Sequence, residues 1–146
     1  MEIKKGIAVS PGIAISRAMV IDSKDYHIPR RSIMSSQRGD EITRVRDAFA
    51  EAIRDLDELE NAKQIEEGKI RDIFAVHMRF LRDKSFRKRV TDFIEKELVT
   101  AEYAVSTILR EIASHFESID DPYISERASD IYDIEKRLLT RLLGQV

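Results

Sequence analysis

The chain has 146 residues, a formal net charge of −2, and 42% hydrophobic and 36% charged residues. A chain of this size makes one domain that buries roughly 70% of its unfolded surface, and its charge balance gives no global field for DNA or RNA. It contains no cysteine, which excludes disulfides, zinc–thiolate sites and thiol nucleophiles. No run of about 18 apolar residues is present to span a membrane, and no signal peptide is read at the N-terminus, so a cytoplasmic protein is expected.

The first elements are strands. Two short runs rich in Ile, Val and Ala flank Ser10-Pro11-Gly12, where Pro presets φ and Gly tolerates a positive φ, so residues 3–21 predict a β-hairpin. In its second strand Ile13, Ile15, Met19 and Ile21 share one face, interrupted by Arg17, and Ala14, Ala18 and Val20 share the other. Apolar residues on both faces imply burial on both sides. No later segment resembles a partner strand, and a lone hairpin is marginal in water. Residues 22–36 are polar, contain Pro29 and read as a linker, with Arg30 and Arg31 solvated.

Helices follow. Ile42, Val45, Phe49, Ala52, Leu56 and Leu59 step by three and four along a helix expected from Gln37 to Ile65. A second helix, from Glu66 or Lys69 to Leu81, carries Ile70, Ile73, Phe74, His77, Phe80 and Leu81. Arg82-Asp83-Lys84-Ser85 interrupts it, and Asp83 or Ser85 is placed to cap a continuation, Phe86 to Leu98, with Val90, Phe93 and Ile94 inward. Thr100 caps the next helix, Ala101 to Glu117, which buries Ala104, Val105, Ile108, Leu109, Ile112 and Phe116. Asp121 as cap and Pro122 in the first turn start a last helix running to Leu143, closed by Gly144. Its stripe is Ile124, Ala128, Ile131, Ile134, Leu138, Leu139 and Leu142. The expected fold is mainly α: an antiparallel four-helix bundle with a broken second helix, preceded by a short β-hairpin.

The residues alone supply no catalytic set. His27, His77 and His115 stand in no Glu-x-x-His or His-x-x-x-His pattern, so no metal site is read, and a lone histidine beside an apolar face is ordinarily structural. His77, three residues from both Phe74 and Phe80, is kept open. There is no Gly-rich phosphate loop and no Gly-x-Ser-x-Gly elbow. Arg79–Arg89 is basic with two aromatics and allows a nucleic-acid module, but one such segment in an acidic chain reads first as a solvated corner. Asp133 and Arg137 form an i,i+4 pair on the last helix. The heptad-like seam of the first helix allows self-association or a non-enzymatic adaptor. Phe80, Phe86, Phe116 and Ile124 all lie at breaks or helix ends, where a bundle presents a patch to a partner.

Two terminal segments are more specific. GIAVSPGIAI (Gly6–Ile15) and ERASDIYDIEKRLL (Glu126–Leu139) resemble the opening and the last bundle helix of the Enzyme I family, the phosphoenolpyruvate–protein phosphotransferases of the bacterial sugar phosphotransferase system and its nitrogen branch. Ile73, Phe74, His77, Leu81 and Asp83, and the Asp120-Asp121-x-Tyr123 start, match as well. The resemblance covers essentially the whole chain. It implies that the hairpin (1–21) belongs to an α/β phosphohistidine domain that is incomplete here, that 22–36 is a linker, and that 37–144 is an inserted helical subdomain that docks the phosphocarrier protein HPr or a nitrogen-branch homologue. It implies an N-terminal fragment without catalytic residues, because the family's active histidine lies in a Gly-Gly-x-x-Ser-His-like motif that none of the three histidines here occupies. Mg²⁺ and phosphoenolpyruvate are implied for the parent, which would dimerise through a C-terminal domain; no cofactor, nucleic acid or membrane is implied for this chain. Carried over by position, the docking residues are Asp72, Ile73, His77, Arg79, Phe80, Asp83, Phe86, Phe116, Ile124 and Arg127. Gly68-Lys69 and Arg82-Asp83-Lys84-Ser85 stand where the family often has acidic residues, and Ser16 and Glu135 stand where glycine is usual. The carrier's docking face is typically basic, so lost acidic groups alter the expected match.

Overall fold

The computed structural model describes residues 27–63 and 68–144; the hairpin expected over 3–21 and the start of the linker lie outside these residues. Within them the chain is mainly helical. After one 3-10 turn, Ser35–Gln37, come α1 (Arg38–Lys63), α2 (Gly68–Leu81), α3 (Lys84–Glu97), α4 (Ala101–Ser118), α5 (Pro122–Glu126) and α6 (Ala128–Leu142).

The starts of α3, α4 and α5 are each fixed by a polar side chain. Asp83 accepts a hydrogen bond from the Phe86 N–H at 2.9 Å, Thr100 from Tyr103 at 3.4 Å and Asp121 from Tyr123 at 2.9 Å, which satisfies donors the helices leave unpaired. α3 ends on Leu98 in the left-handed region, φ 50°, with its N–H bonded to the Ile94 carbonyl. The two residues either side of Val99 are tied back to the segment before α1: Ile33 donates to the Leu98 carbonyl and Thr100 to that of Arg31.

The spacing along α1 decides the core. Val45, Phe49, Ala52 and Leu56 are buried against Phe86, Val90 and Ile94 of α3, Ala104, Val105, Ile108 and Leu109 of α4, and Ile131, Ile134 and Leu138 of α6. Each large side chain buried this way contributes about 1.5–3 kcal/mol. The seam that allowed self-association is therefore consumed inside the molecule.

Arg44 gathers three helix ends. It bonds Glu41 on α1 at 2.8 Å, Glu102 in the first turn of α4 at 3.1 Å, and the Leu142 carbonyl at the end of α6 at 2.9 Å. Glu41 also accepts from the Ala101 N–H at 2.7 Å. Anionic groups thus meet a helix N-terminus and a cation meets a C-terminus, both favourable to the helix dipoles. Since Glu102 lies near Leu142 while Ser106, further along α4, bonds Glu135, further back on α6, these two helices run antiparallel.

The last helix departs from the single run expected from Pro122 to Leu143. It divides at Arg127, whose N–H bonds the Ile124 carbonyl three residues back at 3.0 Å, a 3-10-type tightening that ends α5 before α6 begins.

Candidate functional site

A groove of about 780 Å³ opens beside this joint. α2 supplies Asp72 and Ile73, the end of α4 supplies Glu117, and the α5–α6 joint supplies Tyr123, Glu126, Arg127, Asp130, Tyr132 and Asp133 among others. Ile73 is 44% and Tyr123 67% exposed, two of the few large apolar side chains that face solvent. Arg127 organises one wall: its guanidinium donates to the Tyr123 hydroxyl at 2.8 Å and to Asp130 Oδ2 at 3.2 Å, and lies 4.9 Å from the centre of the Tyr123 ring. These contacts follow from i,i+4 and i,i+3 spacing around Arg127. Among the described charged residues lining the groove, five are acidic (Asp72, Glu117, Glu126, Asp130 and Asp133) and one, Arg127, is basic.

The ten residues singled out from the sequence do not all line this groove. Asp72, Ile73 and Arg127 line the groove. His77 is buried, with Nε2 3.9 Å from Oδ1 of Asp130. Arg79 lines a separate hollow of about 520 Å³ with Phe74 and Met78. Asp83 is engaged in capping α3. Phe86 is 4% exposed and stacks edge-on against Phe49, 5.4 Å between ring centres, with the half-buried Phe80 against it at 4.6 Å. Phe116 packs half-buried against the core, and Ile124 is half-buried.

Tyr123, Asp130 and Asp133 were not among those ten. Tyr123 carried a sequence signal, an aromatic just inside a Pro-started helix and four residues before an arginine. The two aspartates resembled surface charges, and their approach to His77 joins residues 53 and 56 positions apart in the chain.

The basic stretch Arg79–Arg89 is largely engaged by the protein itself. Arg87 donates to the Leu81 carbonyl at 2.8 Å and lies over the Phe49 ring, Arg89 pairs with Glu111 at 3.3 Å, and Arg82 and Lys88 sit 3.8 and 3.9 Å from Asp57 and Asp92. These neighbouring carboxylates lower the positive charge the segment presents to a phosphate backbone.

Two groups on or against α6 are titratable and buried. Glu135, 2% exposed, accepts from Nε and Nη2 of Arg110, at 3.0 and 3.1 Å, and from the Ser106 hydroxyl at 3.2 Å. Burial pushes its carboxyl above the ordinary range against the pull of Arg110. His77 is pushed down by burial, opposed by the nearby Asp130 carboxylate. The groove holds recognition groups, apolar at Ile73 and Tyr123 and charged around them, without an assembled nucleophile and base.

A family model described as PEP-utilising enzyme, N-terminal, matches residues 5–127. The phosphoenolpyruvate-protein phosphotransferase of Mycoplasma capricolum is 34% identical over 142 residues, 96% of this chain and 24% of that protein. Those of Bacillus subtilis (33% over 145 residues, 99% and 25%) and Geobacillus stearothermophilus (37% over 143, 95% and 24%) are similarly related. This chain spans about a quarter of the length of these curated relatives. A solution structure of an Enzyme I protein superposes with a TM-score of 0.74 at 32% identity, covering 81% of this chain and 48% of that one. The N-terminal domain of Enzyme 1 – Nitrogen shares the fold, with a TM-score of 0.75 at 22% identity over 85% of this chain and 50% of that one. With a helical fold common to both solved structures and a family match running from the start of the chain into the α5–α6 joint, the chain belongs to the N-terminal family of phosphoenolpyruvate-utilising enzymes.

Proposed function

We propose that this chain is the carrier-docking part of a phosphoenolpyruvate–protein phosphotransferase and that its groove receives HPr or the nitrogen-branch homologue of that carrier. The observation that supports it is the groove itself: exposed Ile73 and Tyr123 within a predominantly acidic lining, the complement of a small carrier with a basic docking face. The acidic groups lost at Gly68-Lys69 and around Lys84 in the sequence are offset by Glu117, Glu126, Asp130 and Asp133 from the other side of the groove.

In this reading the parent takes the phosphoryl group from phosphoenolpyruvate onto a histidine and passes it to a carrier histidine, with Mg²⁺ and phosphoenolpyruvate bound by a barrel domain of the parent. The segment 1–21 contributes its hairpin to the α/β phosphohistidine domain, 22–36 links, and 37–144 holds the carrier so that two histidines meet in line. The rate then comes mainly from orientation. His77 is buried and lines a neighbouring hollow instead of the groove, and in this reading it takes no part in phosphoryl transfer. The parent is a cytoplasmic homodimer; among the described residues no helix is long and apolar enough to cross a membrane.

The test is a titration of the ¹⁵N-labelled chain with each unphosphorylated carrier. Shifts centred on Ile73, Tyr123 and Arg127, weakening with salt as a transient charged interface does, are expected. Shifts centred on the Arg79 hollow, or none with either carrier at millimolar concentration, overturn the assignment.

A further inference from the structure

Beside the groove, Asp130 and Asp133 of its acidic lining meet His77, a residue that docking does not use. His77 is 4% exposed, and neither of its ring nitrogens has a hydrogen-bond partner among the described residues. Its Nε2 faces Asp130 Oδ1 at 3.9 Å, too far for a hydrogen bond. A ring nitrogen of His77 and one carboxylate oxygen each from Asp130 and Asp133 lie within 4.8 Å of one another. Buried polar atoms are almost always satisfied, so an imidazole aimed at two carboxylates that it does not reach is an unfinished arrangement.

We propose that His77, Asp130 and Asp133 bind a divalent transition-metal ion of the zinc class, with the imidazole and one oxygen of each carboxylate as ligands and the remaining position open to water.

The ligand chemistry selects this class. One imidazole with two carboxylates suits Zn²⁺ and its neighbours, whereas Mg²⁺ and Ca²⁺ favour oxygen alone. Two carboxylates neutralise a dication. Burial keeps the imidazole in the neutral form that coordinates. Zinc bonds of about 2.0–2.1 Å place ligand atoms roughly 3.4 Å apart, so His77 and Asp130 close by about half an ångström on binding. Asp130 is already oriented, because Arg127 holds its Oδ2 at 3.2 Å and leaves Oδ1 toward His77. Asp133, exposed on the next turn of α6, lines both the groove and a second hollow of about 430 Å³ that His77 also lines, so an ion has a path in. Arg137 lies near enough to His77 to be felt electrostatically, which favours modest affinity over a tight structural site.

The experiment is calorimetric titration of the 146-residue chain with Zn²⁺ in chelator-free buffer, repeated with Mg²⁺, together with the side-chain ¹⁵N signals of the three histidines. One Zn²⁺ per chain is expected, with a displaced His77 signal and affinity reduced at least about tenfold in Asp133→Asn. This variant alters an exposed residue and leaves the core intact, whereas His77→Gln, expected to lose binding equally, removes a buried one. His115→Gln and His27→Gln serve as controls and keep full affinity. Absence of saturable binding, binding that survives Asp133→Asn, loss of binding in either control, or Mg²⁺ binding as well as Zn²⁺ with the His77 signal unmoved overturns the proposal. Each of these is read without any carrier present, so failure of the docking assignment leaves the outcome unaffected.

Discussion

The two sides of α6 handle buried polarity in opposite ways. Toward α4, Glu135 is buried with every oxygen engaged, forked by Arg110 and held by Ser106. Toward α2, His77 is equally buried, yet its ring stops 3.9 Å short of Asp130 and has no hydrogen bond among the described residues. The first node is closed within the chain: charge, donors and acceptors balance, and the low local dielectric then strengthens each bond. The second is balanced only if something from outside joins it. The difference shows how a buried polar group separates into architecture or site: by whether its partners are already in reach, not by its chemical type.

The largest effect that tests this contrast is at the closed node. Glu135→Ala leaves Ser106 and Arg110 without their shared acceptor, and removing one partner of a buried pair costs several kcal/mol. Arg110 is partly exposed, 31% by side chain, and stacks over Tyr132, so the expected loss is toward the low end, about 2–3 kcal/mol, read as a lower urea midpoint at unchanged slope. A loss below about 0.5 kcal/mol, the scale of an ordinary surface substitution, would remove the distinction between the nodes.

Much of the helical frame was legible because it rests on local patterns. The three- and four-residue steps through Val45, Phe49, Ala52 and Leu56 found the buried face of α1, and Thr100 and Asp121, with Asp83 as one of two candidates, were read as caps from residue type and place. The division at Arg127 was not legible: no Gly or Pro marks it, and it arises from one i→i+3 bond and a side chain that spans the joint. Glu135 was noticed only as an unusual residue, since its partners stand 25 and 29 positions away on another helix. The same limit applies to the groove. A place at a helix break drew in Phe86, and the family resemblance put it with Ile73 in one candidate surface; only packing separates the ring enclosed by Phe49 and Phe80 from the side chain left facing solvent.

That separation gives the next test. Ile73→Glu and Tyr123→Ala change exposed positions, so stability should move by no more than about 0.5 kcal/mol. Both sit where an interface would have its apolar centre, so carrier affinity should fall about tenfold to a hundredfold, measured by the same titration. A comparable loss of stability and affinity would mean that these side chains support the fold and not the surface. At the open node, His77→Leu replaces a ring with no hydrogen bonds by an apolar group of similar reach. Removing an unsatisfied buried polar group is close to neutral or stabilising, so in the presence of a chelator the change in stability should stay within about 1 kcal/mol of zero. A loss matching that of Glu135→Ala would show that His77 is as firmly bonded as Glu135.

The smallest effect is a pair of opposed slopes with pH. His77 has a folded-state pKa below the ordinary 6.5, lowered by burial against Asp130 and Asp133 and lowered further by Arg137. Just below pH 6.5 the unfolded chain binds a proton that the folded chain refuses, so this group's stability is complete above 6.5 and is lost as pH falls. Glu135 has a folded-state pKa above the ordinary 4.5, raised by burial against Arg110 and Ser106. Just above pH 4.5 the folded chain keeps a proton that the unfolded chain has released, so this contribution is complete below 4.5 and is lost as pH rises. Between 4.5 and 6.5 the two act against each other and the wild-type profile is flattened. With a chelator present, urea midpoints across this range should fall with rising pH in His77→Leu, where only the Glu135 slope is left, and rise with pH in Glu135→Gln, where only the His77 slope is left. Parallel profiles in the two variants would mean that neither burial controls the proton, and the closed and open nodes would then differ in geometry alone.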